Sequence, residues 1–161
     1  MTDIKFNTIV GIIATIVTLL SFLKIKKQTK TITKKTKIYA SPSKEGTFTF
    51  DYSNNNGEYV IGEGEASFAT RWSKASNTSI HAYNDGEGIN AIALLEGVKD
   101  INNIKNIEGD FSSRCRTAQI GDAVIWNNEN GKYAITKVIS IKDNTRGDLH
   151  DELTCEYVIL D

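Results

Sequence analysis

The spacing of hydrophobic residues divides the chain into an uninterrupted apolar run and a later region of strict alternation. Residues 6–23 read FNTIVGIIATIVTLLSFL, an uncharged stretch dominated by Ile, Val and Leu. An α-helix needs about 20 mostly apolar residues to cross a hydrocarbon core of roughly 30 Å. The run lacks the polar stripe of a surface helix, and its positive charges follow it instead of preceding it as in a signal peptide. We therefore predict a short tail and a retained transmembrane anchor in residues 1–25.

A lysine-rich stretch follows the predicted anchor and indicates how the chain is oriented. Residues 24–37 contain seven lysines and no acid, which predicts a basic stalk over residues 26–43. Under the positive-inside rule, this stalk places the C-terminal domain in the cytoplasm, with the anchor in the inner membrane. Thr8, Gly11, Thr15 and Thr18 fall on one face of the anchor helix. Small residues at that spacing allow close helix packing, so we expect a homo-oligomer formed through the anchor.

Beyond Pro42 the period of the pattern changes to two residues, which is typical of β-strands. Gly97 to Ile107 is the exception, because apolar residues recur there every third position and predict one short helix. The fold expected for residues 44–161 is therefore mainly β, a small β-barrel or β-sandwich of about seven or eight strands. A hairpin is expected between the first two strands. The predicted strands are Thr47–Tyr52, Glu58–Ile61, Glu65–Trp72, Thr78–Tyr83, Ile89–Leu95, Ala123–Asn127, Tyr133–Lys142 and Leu153–Leu160.

Charge is distributed very unevenly along the chain. The whole sequence carries a formal charge of −1, but residues 38–161 contain 11 Lys and Arg against 19 Asp and Glu, about −8 formally. Phosphate affinity rests on cationic neutralisation, so we expect no general nucleic-acid binding by this domain. The two cysteines do not form a disulfide framework, and His and Cys are scattered without the spacing of a zinc site. We predict neither a metal nor another cofactor.

Four of the eleven cations in this acidic domain lie in two short segments rich in hydroxyls and aromatics. One segment is RWSKAS with the following SIHAY, and the other is SSRCRT. Arginine pairs with phosphate through charge-assisted hydrogen bonds, and aromatic rings offer stacking surfaces. The alternative is that Trp72 is a core residue and the arginines balance surface acids. The candidate ligand-binding residues are Arg71, Trp72, Ser73, Lys74, His81, Tyr83, Arg114 and Arg116.

A third motif, Ser113-x-x-x-Thr117-x-x-x-Gly121-Asp122-x-Val124, resembles a conserved pattern of type I signal peptidases, which use a serine–lysine dyad. The resemblance implies Ser113 as nucleophile and Lys137, in the stretch AITKVIS, as general base. Arginine occupies the positions of the family's Met and Pro. Ser113 also lies much farther from the anchor than the family's serine does.

Together these patterns favour a membrane-anchored sensor or effector over an enzyme. The expected ligand is an anionic small molecule, for which a nucleotide is one candidate, and the expected partners are the lipid bilayer and other copies of the chain. The layout is similar to that of the membrane-anchored β-barrel effectors of bacterial antiphage nucleotide signalling, although those typically have two membrane helices and share no motif with this chain. A non-enzymatic membrane scaffold and the serine–lysine peptidase are the alternatives.

Overall fold

The computed structural model of the chain describes residues 39–104 and 106–160. Within these ranges strands predominate, and the helical content is limited to three 3-10 turns, at Asn55–Gly57, Gly64–Ala66 and Ile101–Asn103. Ten strands are present in the described residues: β1 (Ala40–Ser41), β2 (Glu45–Phe50), β3 (Glu58–Ile61), β4 (Phe68–Lys74), β5 (Ser79–Tyr83), β6 (Ile89–Leu95), β7 (Cys115–Gln119), β8 (Ala123–Asn128), β9 (Tyr133–Lys142) and β10 (Glu152–Leu160).

The strands form two five-stranded sheets. The order is β1-β3-β4-β5-β7 in the first sheet and β2-β10-β9-β8-β6 in the second. The pairings are antiparallel apart from the one between β1 and β3. The mainly-β prediction is confirmed, and most strand limits agree with the alternation in the sequence to within a few residues. The alternation did not predict β1 and β7, which are short strands at the two ends of the first sheet.

The inward faces of the two sheets share one hydrophobic core. At its centre Trp72 of β4 meets Trp126 of β8 edge to face, with ring centroids 5.2 Å apart. Each indole N–H donates a 2.9 Å hydrogen bond to a buried threonine hydroxyl, Trp72 to Thr70 and Trp126 to Thr136. A buried indole usually needs such a partner. The core is therefore apolar and also satisfies the polar atoms of its two largest side chains.

Residues 98–104 and 106–111 cover the outer face of the second sheet. Their apolar residues Val98, Ile101, Ile104 and Ile107 pack on a cluster formed by β6, β8 and β9, and Ile101 is 1% exposed. The described residues of the range 97–107 do not form the predicted helix, and a single 3-10 turn at Ile101–Asn103 is found there instead. The three-residue spacing therefore marks the apolar contacts of a mostly irregular segment.

The hairpin expected between β2 and β3 is also wrong. β2 pairs with β10 in the second sheet, whereas β3 pairs with β1 and β4 in the first. The intervening turn therefore carries the chain from one sheet to the other. Alternation correctly shows which side chains of a strand face the core, but it does not identify the neighbouring strand.

The predicted transmembrane anchor and most of the stalk lie outside the described residues. In the part of the chain that the structure does describe, no helix is long and apolar enough to cross a membrane.

Candidate functional site

A cavity of about 460 Å³ opens beside β4 and β5 of the first sheet. Side chains alternate between the two faces of β4, so Trp72 points into the core while Arg71 and Ser73 point away from it. Tyr83 of β5 is the register partner of Arg71. We call this pocket the arginine cavity. It is lined by Tyr52, Ser53, Asn56, Gly57, Arg71, Trp72, Ser73, Tyr83, Asp85 and Arg114.

Two arginines of the arginine cavity share one carboxylate. Nη1 of Arg71 lies 3.3 Å from Oδ1 of Asp85, and Nη2 of Arg114 contacts the other carboxylate oxygen. Arg114 is 69% exposed, whereas Arg71 and Asp85 are about 30% exposed. The lining thus carries two cations and one anion. Glu58 is the register partner of Arg71 on β3 but is not part of the lining. Each guanidinium has five N–H donors, so Asp85 leaves most of them for another acceptor.

Tyr83 contributes both a ring and a hydroxyl to the cavity. The Arg114 guanidinium lies over the Tyr83 ring, 5.6 Å from its centroid. The Tyr83 hydroxyl is 3.0 Å from the Ser73 hydroxyl. One hydroxyl donates to the other in this contact, which leaves one of the two protons free to donate to a third group.

The turn between β2 and β3 forms one wall of the cavity. Asn55, Asn56 and Gly57 all adopt the left-handed backbone conformation, with φ values of 48°, 57° and 72°. The conformation is strained for the two asparagines, and such strain is often found at ligand sites. A Cβ on Gly57 would lie 1.9 Å from the Trp72 carbonyl oxygen. Only glycine therefore allows this turn to press against β4.

The turn that carries Asp85 is fixed in a similar way. Its Gly86 packs so closely on β4 that a Cβ would lie 1.9 Å from the Ala69 carbonyl oxygen. The neighbouring Asn84 N–H donates a 3.0 Å hydrogen bond to the Arg114 carbonyl. These two contacts hold the Asp85 backbone between β4, which carries Arg71, and the loop that carries Arg114.

The structure brings together five of the eight predicted binding residues, but Trp72 differs from the other four. Arg71, Ser73, Tyr83 and Arg114 project into the cavity region, whereas the Trp72 side chain is 1% exposed. Its indole packs in the core, so it borders the cavity without offering a stacking face. The interpretation of Trp72 as a core residue is the one that the geometry supports.

Lys74 is directed to a different network at the end of the second sheet. Its ammonium lies 2.8 Å from Asp143, 3.0 Å from Asp151 and 3.0 Å from the Asn144 side-chain oxygen. Burial raises the pKa of both carboxyls, but their hydrogen bonds, including those from Lys74, outweigh it and hold each pKa below its usual value. Lys74 neutralises buried acids there and does not line the arginine cavity.

His81 and Arg116 also lie outside the lining of the arginine cavity. Nδ1 of His81 is 2.9 Å from the Thr117 hydroxyl, and its ring meets Tyr83 edge to face at 6.2 Å. Arg116 pairs with Asp110 at 2.8 Å. Hydrogen bonds from Ser112, together with Arg116, hold the pKa of Asp110 well below its usual range.

The sequence patterns did not predict the residues that form one wall of the arginine cavity, or the carboxylate of Asp85 inside it. Tyr52 and Asn56 lie near each other in the chain but far from Arg71, and Asp85 stands in an Asp-Gly-Glu-Gly stretch that indicates only a turn. Tyr52 also connects the cavity to the Lys74 network, because its hydroxyl lies 3.3 Å from the Asp151 carboxylate and donates to the Lys142 carbonyl at 2.8 Å. Burial and the charge of Asp151 raise the pKa of Tyr52.

Ser113 and Lys137 bond to separate backbone groups. The Ser113 hydroxyl donates to the Cys115 carbonyl at 2.8 Å, and the Lys137 ammonium donates to the Lys99 carbonyl at 2.7 Å. Ser113 precedes β7 in the first sheet, whereas Lys137 belongs to β9 in the second. In the described residues no hydrogen bond joins these two side chains, and no group of three or more His, Cys, Asp or Glu is placed to hold a metal ion.

Comparisons of the chain with protein-family models, with curated proteins and with solved structures give no match.

Proposed function

We propose that the β domain is the ligand-binding part of a membrane-anchored sensor or effector, and that it takes an anionic small molecule in the arginine cavity. The observation that carries this proposal is the convergence of Arg71 and Arg114 on one carboxylate above Tyr83. These two arginines come from separate parts of the sequence. Residues 38–161 carry a formal charge of about −8, so a cavity lined by two cations and one anion stands out from its surroundings.

Opening the cavity to a ligand costs little folding free energy. Arg114 is 69% exposed, and exposed ion pairs typically contribute about 0–1 kcal/mol. A charge-assisted hydrogen bond to a bound anion is worth roughly 1.5–3 kcal/mol. Moving the Arg114 guanidinium from Asp85 to a bound anion is therefore favourable when the anion accepts more than one charge-assisted hydrogen bond.

The remaining lining favours a ligand that combines an anionic group with a flat ring. Tyr83 provides a ring beside the two guanidiniums, and its hydroxyl pairs with Ser73. Aromatic rings stack on nucleobases with little dependence on base identity. A nucleotide satisfies both requirements, because it carries phosphate oxygens for the arginines and a base for Tyr83.

The membrane part of the proposal rests on the sequence. The uncharged run at residues 6–23 and the lysines that follow it are typical of a single-pass anchor with a cytoplasmic C-terminal domain. Ligand binding in the β domain then acts on the oligomeric state of the anchors. In this account the protein has no catalytic residues.

The test is a calorimetric titration of the full-length chain in a neutral detergent at low salt. The ligands are adenosine 5′-monophosphate, phenyl phosphate and benzoate, with uncharged adenosine as the reference. We expect at least one anion to bind. Adenosine should bind at least about tenfold more weakly, because it has no anionic group for the two arginines. Tenfold in affinity corresponds to about 1.4 kcal/mol.

The variants Arg71→Gln and Arg114→Gln should each weaken anion binding by about tenfold or more, since each removes charge-assisted hydrogen bonds. Lys132→Gln is the matched control, because it removes one positive charge from an exposed turn between β8 and β9 of the other sheet. Undiminished binding in both arginine variants would contradict the proposal. So would failure of the unaltered chain to bind any of the three anions.

A further inference from the structure

Asp85 occupies the position that a ligand's anionic group would take. Each of its two carboxylate oxygens contacts a different guanidinium, one from Arg71 and one from Arg114. A ligand carboxylate bound between these arginines would make the same two contacts. The protein thus contains its own anion at the centre of the proposed binding site.

The Asp85 carboxylate is an effective competitor because its backbone is held in place. Gly86 packs against the Ala69 carbonyl, and Asn84 bonds to the Arg114 carbonyl at 3.0 Å. A group tethered in this way acts at an effective concentration of about millimolar or more. An external carboxylate offers the same charge and the same two oxygens, so it gains little by replacing Asp85.

A phosphate monoester offers more than Asp85 does. It has three terminal oxygens and carries a charge of about −1.5 to −2 at neutral pH. Two oxygens match the positions of the Asp85 carboxylate, and the third can accept the free proton of the Ser73–Tyr83 hydroxyl pair. The cavity lining therefore holds one donor that Asp85 does not use.

From this geometry we infer that Asp85 is a built-in competitor that weakens every anion by the same factor, so that a phosphate monoester, which gains the additional Ser73–Tyr83 donor, occupies the arginine cavity where a carboxylate does not. The inference rests on the proposed function and specifies the ligand class of that site. Asp85 holds the guanidiniums when the ligand is absent, and a phosphate displaces it.

The experiment compares phenyl phosphate with benzoate by calorimetry on the full-length chain and on Asp85→Asn, which keeps the side-chain shape but removes the charge. For the unaltered chain we expect phenyl phosphate to bind at least about tenfold more tightly than benzoate. In Asp85→Asn we expect both probes to bind more tightly, by about tenfold, because a nearby like charge is removed. Asp85→Ala serves as a second variant, and thermal unfolding verifies that each variant is folded.

Glu58→Gln is the matched control, because Glu58 faces Arg71 in register without bridging the two arginines. It should change the affinity by less than about threefold, as expected for a screened charge. Equal changes in Asp85→Asn and Glu58→Gln, or equal binding of the two probes by the unaltered chain, would overturn the inference while leaving anion binding intact. If neither probe binds to the unaltered chain or to either Asp85 variant, the proposed function itself fails.

Discussion

At the scale of single residues, Lys74 shows how strongly the face of a strand determines a side chain's role. It lies two positions after Trp72 on β4, so it projects on the same side of the sheet and reaches Asp143 and Asp151. Arg71 and Ser73, on the other face, border the arginine cavity. Neighbouring residues in one sequence motif thus serve two separate networks.

Replacing Lys74 by Met should destabilise the fold at neutral pH, because it leaves the buried carboxylate of Asp151 without a nearby cation. The folded-state pKa values of Asp143 and Asp151 are below the ordinary value of 3.8. Their ionised forms therefore stabilise the fold above about pH 4, and this contribution is lost as the pH falls below that value. The difference between Lys74→Met and the unaltered protein should accordingly shrink in acid.

Urea unfolding at pH 7, 5 and 3 measures this effect. Lys142→Met is the control, because Lys142 is 45% exposed and pairs with the partly exposed Glu152. We expect a smaller loss of stability for this variant than for Lys74→Met at pH 7. Equal unfolding midpoints for Lys74→Met and the unaltered protein at pH 7 would show that Lys74 does not support the buried acids.

At the scale of secondary-structure elements, the sequence predicts strands well and their connections poorly. The pattern of Phe48 and Phe50 gives the buried face of β2 correctly, and both are 3% exposed. It does not reveal that β2 pairs with β10, since a strand's alternation is the same whatever its neighbour. The apolar spacing in residues 97–107 is compatible with a helix, but tertiary contacts on the second sheet determine its actual conformation.

The turn that leaves β2 gives a prediction about backbone conformation. Gly57 has φ of 72°, and a Cβ there would lie 1.9 Å from the Trp72 carbonyl oxygen. Gly131 has nearly the same φ, 70°, but a Cβ there would meet no atom within 4 Å. Gly131→Ala should therefore cost about 1–2 kcal/mol from backbone strain alone.

Gly57→Ala should cost more than about 3 kcal/mol, because the turn must also move away from β4. Chemical denaturation of the two variants provides the comparison. Losses of the same size would mean that the close approach of the turn to Trp72 does not matter for the fold.

At the scale of the whole molecule, part of the site could be predicted from the sequence. The mixture of cations, hydroxyls and aromatics predicted Arg71, Ser73, Tyr83 and Arg114 as ligand-binding residues, and the structure brings these four to one cavity. Asp85 was missed, because its role depends on two arginines brought together by the pairing of β4, β5 and β7. Lys74, His81 and Arg116 lie in the same two sequence segments, but their side chains contact other partners.

The orientation of the chain in a membrane is a prediction from the first 37 residues. We expect protease added to inside-out inner-membrane vesicles to digest the β domain, and protease added to intact spheroplasts to leave it protected. A periplasmic and a cytoplasmic marker protein verify the sidedness of each preparation. Digestion in intact spheroplasts, or recovery of the chain in the soluble fraction, would contradict the cytoplasmic membrane-anchored arrangement.

The most direct test of the account is an amide chemical-shift titration of the isotope-labelled chain with adenosine 5′-monophosphate. Binding in the arginine cavity predicts saturable shifts concentrated in four segments, at residues 52–57, 71–73, 83–85 and 114. The shifts should disappear in Arg71→Gln. Saturable shifts in other segments only, or no shifts at millimolar nucleotide, would contradict the claim that this cavity is an anion-binding site.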